Sequence, residues 1–121
     1  MNYFALIAHD GKKQEMVEWV QRRRERLCDE QLVATHTTGT LIENETDLTV
    51  RKMLSGPQGG DLQIGALICT GEVRAVIFLR DPLTPHPHEP DISALMKVCD
   101  THNVPLATNI ATADLLIEGL A

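Results

Sequence analysis

The chain has 121 residues, 43% of them hydrophobic, which is enough to bury one ordinary core and too few for two. Its formal net charge of −6 excludes a surface built to neutralise nucleic-acid phosphates or to lie on an anionic membrane, since both tasks need an excess of Lys and Arg. Any anion bound here must be held locally.

Short apolar runs rich in branched residues lead repeatedly into a polar turn and then into a stretch of helical periodicity. Phe4 to Ala8 is the first predicted strand, followed by a helix whose stripe is Met16, Trp19, Val20 and Leu27. On that helix Arg22, Arg23 and Arg24 lie among Glu18, Glu25 and Glu30, a pattern that reads as a solvated, charge-laced face. Leu32 to Thr35 is the second strand, Thr40 to Thr46 a short helix, and Thr49 to Leu54 the third strand. A third helix begins near Asp61 and runs through Ile64, Leu67 and Ile68 toward Gly71. After the strand Ala75 to Leu79 comes a loop, Arg80 to Pro90, stiffened by prolines at 82, 85, 87 and 90. Glu89-Pro90-Asp91 signals the start of a fourth helix, with Ile92, Leu95, Met96 and Cys99 as one core stripe. Pro105 to Ala107 and Ala111 to Leu120 supply the last strand and helix.

Alternation of this kind predicts a single α/β domain over residues 1–121, a doubly wound, five-stranded parallel sheet with helices on both faces and flavodoxin-like layering. Cys28, Cys69 and Cys99 are odd in number and lack C-x-x-C spacing, which fits a reduced compartment. No segment approaches the roughly 20 apolar residues of a membrane span, and Tyr3 to Ala8 lacks a basic leader, so a soluble cytoplasmic protein is expected.

Nearly every unusual polar residue then falls just past a strand: His9-Asp10, Thr35 to Gly39, Ser55 to Asp61, Asp81 to Asp91, and Thr108-Asn109. In a doubly wound sheet these groups share the rim where ligands bind. Thr35-His36-Thr37-Thr38-Gly39 brings hydroxyls and backbone N–H groups to the mouth of a helix, and Ser55-Gly56-Pro57-Gln58-Gly59-Gly60 does the same at the next. Each segment alone also reads as an ordinary turn or cap; side by side, with Lys13 one turn into the first helix, they favour a small phosphorylated ligand. Asp61 reads either as a first-turn helix acid or as a carboxylate placed to abstract a proton beside a carbonyl. His9 and His88 are surface residues or neutral imidazoles that polarise that carbonyl, as the histidine of triosephosphate isomerase does. Asp10, Asp81 and Asp91 are candidate supporting carboxylates or caps. His86, His88, Glu89 and Asp91 are metal-ligand types in a rigid segment without obvious convergence, so no metal is expected.

These residues resemble the methylglyoxal synthases from Phe4 to Leu120. The resemblance is carried by Ile7-Ala8-His9-Asp10 with Lys13, Ala34-Thr35-x-Thr37-Thr38-Gly39, Leu54-Ser55-Gly56-Pro57-x-Gly59-Gly60-Asp61, Asp81-Pro82-Leu83, Pro87-His88-x-Pro90-Asp91, and Pro105-Leu106-Ala107-Thr108-Asn109. It implies a homohexamer without metal or organic cofactor that converts dihydroxyacetone phosphate to methylglyoxal and inorganic phosphate. Asp61 is then the proton acceptor and donor; His9, Lys13, Thr35, Thr37, Thr38, Ser55, Gly56 and His88 line the substrate site; Asp10, Asp81 and Asp91 support it. It also implies inhibition by phosphate.

The family usually has Gly where this chain has His36. If that position needs positive φ or close backbone contact, His36 is strained or crowds the phosphate; otherwise it swings outward or touches the phosphate itself. Many relatives also carry a further tail that offers an arginine to the phosphate. The same fold resembles the regulatory domain of carbamoyl-phosphate synthetase, which binds effectors and performs no chemistry. A binding module needs the phosphate loops but not Asp61, His9 and His88 together, so an enzyme is expected. A metal-dependent hydrolase built on His86, His88 and Asp91 is the third alternative.

Overall fold

The computed structural model describes residues 2–83 and 92–120. Five strands, β1 (Tyr3–Ala8), β2 (Gln31–Ala34), β3 (Val50–Lys52), β4 (Val73–Leu79) and β5 (Leu106–Ala107), form one sheet in the order β3-β2-β1-β4-β5. Every pairing is parallel. The chain walks outward from β1 to β3, returns across the sheet to β4, and finishes at β5, so the direction of winding reverses between β1 and β4.

The helices are α1 (Lys13–Arg22), the short α2 (Arg24–Leu27), α3 (His36–Thr46), α4 (Gly60–Cys69), α5 (Ile92–Thr101) and α6 (Ile110–Gly119). Alternate strand residues explain the two apolar layers they cover. Phe4, Leu6 and Ala8 join Met16, Trp19, Val20, Ile42 and Ile117 on one face; Ala5 and Ile7 join Ile64, Ile68, Leu95 and Cys99 on the other. The doubly wound architecture expected from the sequence is thus present. Among the described residues no helix is long and apolar enough to cross a membrane.

Several local expectations are corrected. The predicted first helix breaks at Arg23 (φ −104°, ψ 17°), although its stripe Met16, Trp19, Val20 and Leu27 is fully buried. Met96 is 43% exposed and not part of the core, because α5 turns Leu95 and Cys99 toward the sheet. Glu30 is not solvated: its carboxylate, 7% exposed, accepts from Arg26 at 2.8 Å and Arg74 at 3.0 Å, and both guanidiniums also donate to the Leu120 carbonyl, at 2.9 and 3.1 Å. Arg23 and the buried Trp19 indole N–H share the Asp114 carboxylate of α6, at 2.9 and 2.8 Å. Those contacts, the indole first, hold the Asp114 carboxyl below the usual range. Part of the basic run is therefore structural mortar between α1, α2, β4 and α6.

Burial pushes the Cys99 thiol up to about 11, while Cys28 and Cys69 are exposed. Since the folded value lies above the ordinary one, the unfolded chain ionises first as pH rises past about 9, and stability is lost on the alkaline side only. At pH 8 a thiol reagent is expected to titrate Cys28 and Cys69 promptly and Cys99 only after denaturation. Equal labelling rates at all three positions would contradict the buried assignment.

Candidate active site

The first residues beyond the strand ends are His9, Thr35, Met53, Arg80 and Thr108. The four phosphate-loop threonine and histidine positions 35–38 do not form a separate loop, as the predicted start of the helix at Thr40 required. Thr35 is the N-cap (φ −66°, ψ 158°) and α3 begins at His36, with the Thr35 carbonyl accepting from Gly39 N–H at 2.9 Å. Ser55 has the same extended backbone (φ −65°, ψ 160°) and caps a 3-10 turn, Gly56–Gln58, that runs into α4.

Hydrogen bonds tie these two entrances together. Met53 N–H donates to the Ala34 carbonyl at 2.8 Å, one residue beyond the last strand pairing, and His36 N–H donates to the Leu54 carbonyl at 3.3 Å. Leu54 N–H is in turn held by Gln63 Oε1 of α4 at 2.8 Å. Gln63 was not a sequence-level candidate; its only signal is its position two residues after Asp61, one helical turn from the loop it braces. Gly59 takes a left-handed backbone (φ 98°) that side chains rarely adopt, and a Cβ on Gly60 would lie 1.7 Å from the Leu54 carbonyl oxygen, so conformation requires the first glycine and lack of room the second.

Neither Thr35 nor Ser55 uses its side chain to cap its helix, in contrast to Asn109, whose Oδ1 accepts from Thr112 N–H at 2.9 Å. Thr38 is fully buried, and its hydroxyl has no hydrogen-bond partner among the described residues. Such a group costs about 1–3 kcal/mol unless something supplies an acceptor. Helix entrances with uncapped N–H groups and a spare buried hydroxyl are suited to an oxyanion. Thr37 is exposed beside them, and Gly56 opens the 3-10 turn.

His36 is exposed and helical. Among the described residues the non-glycine positions with positive φ are Asp47 and Asn103, so the backbone strain that His36 would carry in a left-handed site does not arise. Of the alternatives drawn from the sequence, the strained backbone is excluded, and an outward His36 and one that touches the phosphate both fit its exposed position.

Lys13 opens α1 and folds back across the end of β1. Its ammonium donates to the Ala8 carbonyl at 3.1 Å and to Asp10 Oδ1 at 2.8 Å. An ammonium has three N–H groups, so one remains for a further acceptor. Asp10 is exposed.

His9 is fixed from three sides. Its N–H donates to the Leu79 carbonyl at 3.0 Å, its Nδ1 accepts from Asp81 N–H at 2.9 Å, and its ring stands edge-on to Phe78, with centroids 5.2 Å apart at 89°. Because a backbone N–H can only donate, Nδ1 must be unprotonated and the ring hydrogen sits on Nε2. His9 is thereby a neutral hydrogen-bond donor. The Asp81 carboxylate closes its own turn by accepting from Leu83 N–H at 3.1 Å.

Asp61 is half-buried in the first turn of α4, behind the Gly59-Gly60 step, and borders a cleft of about 160 Å³ between α4 and α5 lined by Leu62, Gly65, Ala94, Leu95 and Val98. Apolar walls on one side and helix-terminal N–H groups on the other set the carboxylate at a boundary between dry and polar surroundings. His86, His88, Glu89 and Asp91, with the predicted start signal of α5, lie outside the described residues.

A family profile described as "MGS-like domain" matches residues 15–108. The chain is 62% identical over 117 residues to a methylglyoxal synthase of Cupriavidus pinatubonensis, covering 97% of this chain and 90% of that one. It is 56% identical over 114 residues to the methylglyoxal synthase of Clostridium botulinum, covering 94% of this chain and 96% of that one. A crystal structure of methylglyoxal synthase from Elizabethkingia anophelis superposes with a TM-score of 0.93 at 41% identity, over 96% of this chain and 76% of that one. With a profile match over most of its length and identities of this size, the chain belongs to the methylglyoxal synthase family.

Proposed function

We propose that the protein converts dihydroxyacetone phosphate to methylglyoxal and inorganic phosphate, with Asp61 as the base. One observation carries the reading: two uncapped helix entrances are joined at the Leu54 carbonyl, and the only carboxylate in the first turn of either helix is Asp61. The entrances supply the phosphate grip through Thr35, His36, Thr37, Thr38, Ser55 and Gly56, with the remaining N–H of Lys13.

In this mechanism Asp61 takes a proton from the hydroxymethyl carbon, and the electron pair flows into the carbonyl to give an enediolate. The Nε2–H of His9 donates to the oxygen that becomes negative, aided by His88. The hydroxyl on the former hydroxymethyl carbon then becomes the aldehyde carbonyl as its proton passes to the departing phosphate. The enediolate double bond shifts toward the phosphorylated carbon, breaking its C–O bond to the bridging oxygen. The resulting enolate takes the proton held by Asp61 at its terminal carbon to become methylglyoxal. Elimination is favoured while the site holds the breaking C–O bond perpendicular to the enediolate plane. Asp10, Asp81 and Asp91 act as supporting carboxylates, and no metal or organic cofactor is needed. We further assign to residues 1–121 a single domain, cytoplasmic location, assembly as a homohexamer, and inhibition by the phosphate product.

The test is incubation of purified protein with dihydroxyacetone phosphate and parallel measurement of both products. Equal amounts of methylglyoxal and phosphate are expected. Phosphate without methylglyoxal would indicate a phosphatase, and neither product would overturn the catalytic reading in favour of an effector-binding module.

A further inference from the structure

A second polar cleft lies beyond the ends of β1, β4 and β5, away from the paired helix entrances that follow β2 and β3. It has a volume of about 110 Å³ and is lined by Lys12, Glu15, Arg80, Thr108 and Asn109 over an apolar floor. None of these residues belongs to the grip of Lys13, Thr35 to Thr38 and Ser55 to Asp61. The two helix entrances follow β2 and β3, whereas this cleft is built from residues that follow β1, β4 and β5, with Lys12 next to Lys13 of the grip in sequence.

Lys12, Arg80, Thr108 and Asn109 bring donors to its lining, and Glu15 brings a carboxylate. The Arg80 guanidinium is exposed and makes no hydrogen bond or ion pair among the described residues. Most other arginines are engaged: Arg23 with Asp114, Arg24 with the Thr46 carbonyl, and Arg26 and Arg74 with Glu30. The Asn109 carbonyl oxygen accepts from both Thr112 N–H and the Thr112 hydroxyl, so its amide NH₂ is what it offers elsewhere. Lys12 holds Glu15 at 2.9 Å and lies in the field of the Asp81 carboxylate, which leaves the Arg80 guanidinium as the cation of the cleft with no ion pair among the described residues. A volume of about 110 Å³ equals three or four waters at roughly 30 Å³ each, the size of a free tetrahedral oxyanion, and is far below the roughly 300 Å³ at which organic ligand pockets begin.

We infer that this cleft is a second anion site, which takes a free tetrahedral oxyanion such as inorganic phosphate on Arg80, Lys12, Thr108 and Asn109. The site is mechanically joined to His9. Arg80 stands between Leu79, whose carbonyl accepts His9 N–H, and Asp81, whose N–H donates to His9 Nδ1. An anion that fixes Arg80 restrains the segment that holds the His9 backbone through Leu79 and the His9 ring through Asp81 N–H. Binding itself needs no part of the catalytic reading.

Equilibrium dialysis with inorganic phosphate separates the two sites. The native protein is expected to bind two phosphates per chain, and Arg80→Gln one, because losing a charge-assisted contact weakens the second site by roughly 10- to 100-fold. In a Lys13→Met background one phosphate should remain, with perturbation of the His9 ring signals by NMR as it binds, and Arg80→Gln should abolish it. If the catalytic grip does not bind phosphate, the native protein binds one and Arg80→Gln none, which keeps the two readings apart. Unchanged stoichiometry in Arg80→Gln would overturn the site. Displacement of the Lys13→Met-bound phosphate by an equal concentration of glycerol 3-phosphate would overturn its restriction to a free oxyanion, and unmoved His9 signals would overturn the coupling.

Discussion

Asparagine at position 61 is expected to remove most turnover, roughly 10²- to 10⁴-fold in kcat, while the protein remains folded. The substitution is nearly isosteric. Asp61 makes no side-chain hydrogen bond among the described residues, so an amide breaks none there. Its structural worth is that of an acid in the first turn of α4, about 0.3–1 kcal/mol through the helix dipole. Its chemical worth is larger, because an amide cannot accept the proton that must leave carbon. Steady-state kinetics together with thermal denaturation separates the two contributions. A variant with near-native kcat and native melting would take Asp61 out of the mechanism.

Gly60→Ala is expected to damage stability and activity together. Its Cβ would lie 1.7 Å from the Leu54 oxygen, 2.7 Å from the Leu54 carbonyl carbon and 3.1 Å from the Ser55 oxygen. All three are backbone atoms, so no side-chain rotation relieves the clash, and the loop between β3 and α4 must move. The cost should reach about 3 kcal/mol, the upper end for overpacking, and lower the melting temperature by roughly 10 °C. Displacing Leu54 also disturbs its bond to His36 N–H, so phosphate affinity should fall as well. Gly65→Ala is the control: the nearest atom to its Cβ would be Leu95 Cδ2 at 3.8 Å, an ordinary contact. Equal melting temperatures for Gly60→Ala and the native protein would show that the loop relaxes without cost.

The layering was legible because four of the five strands end in apolar residues and the next polar cluster starts at once. Strand ends were read one or two residues long: Thr35 and Leu54 look like strand residues but belong to the helix entrances, which continue extended backbone past the last pairing of Ala34 with Lys52. The start of α3 was hidden because His36-Thr37-Thr38-Gly39 holds two β-branched residues and a glycine, all poor helix formers. Burial of Thr38 and Gly39 and the bond from His36 to Leu54 outweigh that preference. Asp61, Lys13 and His9 were visible as residue types at strand ends. What held His9, the Phe78 edge and the Asp81 amide, was not, since Phe78 reads only as core and a backbone N–H leaves no mark in a sequence. Glu30 looked solvated for a similar reason: one of its two arginine partners, Arg74, is 44 residues away.

The cluster around Glu30 also bears on how the molecule is made. Arg26 and Glu30 leave the ribosome early, but the carbonyl that completes their arrangement belongs to Leu120, 94 residues after Arg26. At roughly 5–20 residues per second that interval is on the order of 10 s, during which the Arg26–Glu30 pair waits first for Arg74 and then for α6. The last bonds of this cluster therefore form only after residue 120 has been added, so a nascent chain truncated before α6 lacks the acceptor on which both guanidiniums converge.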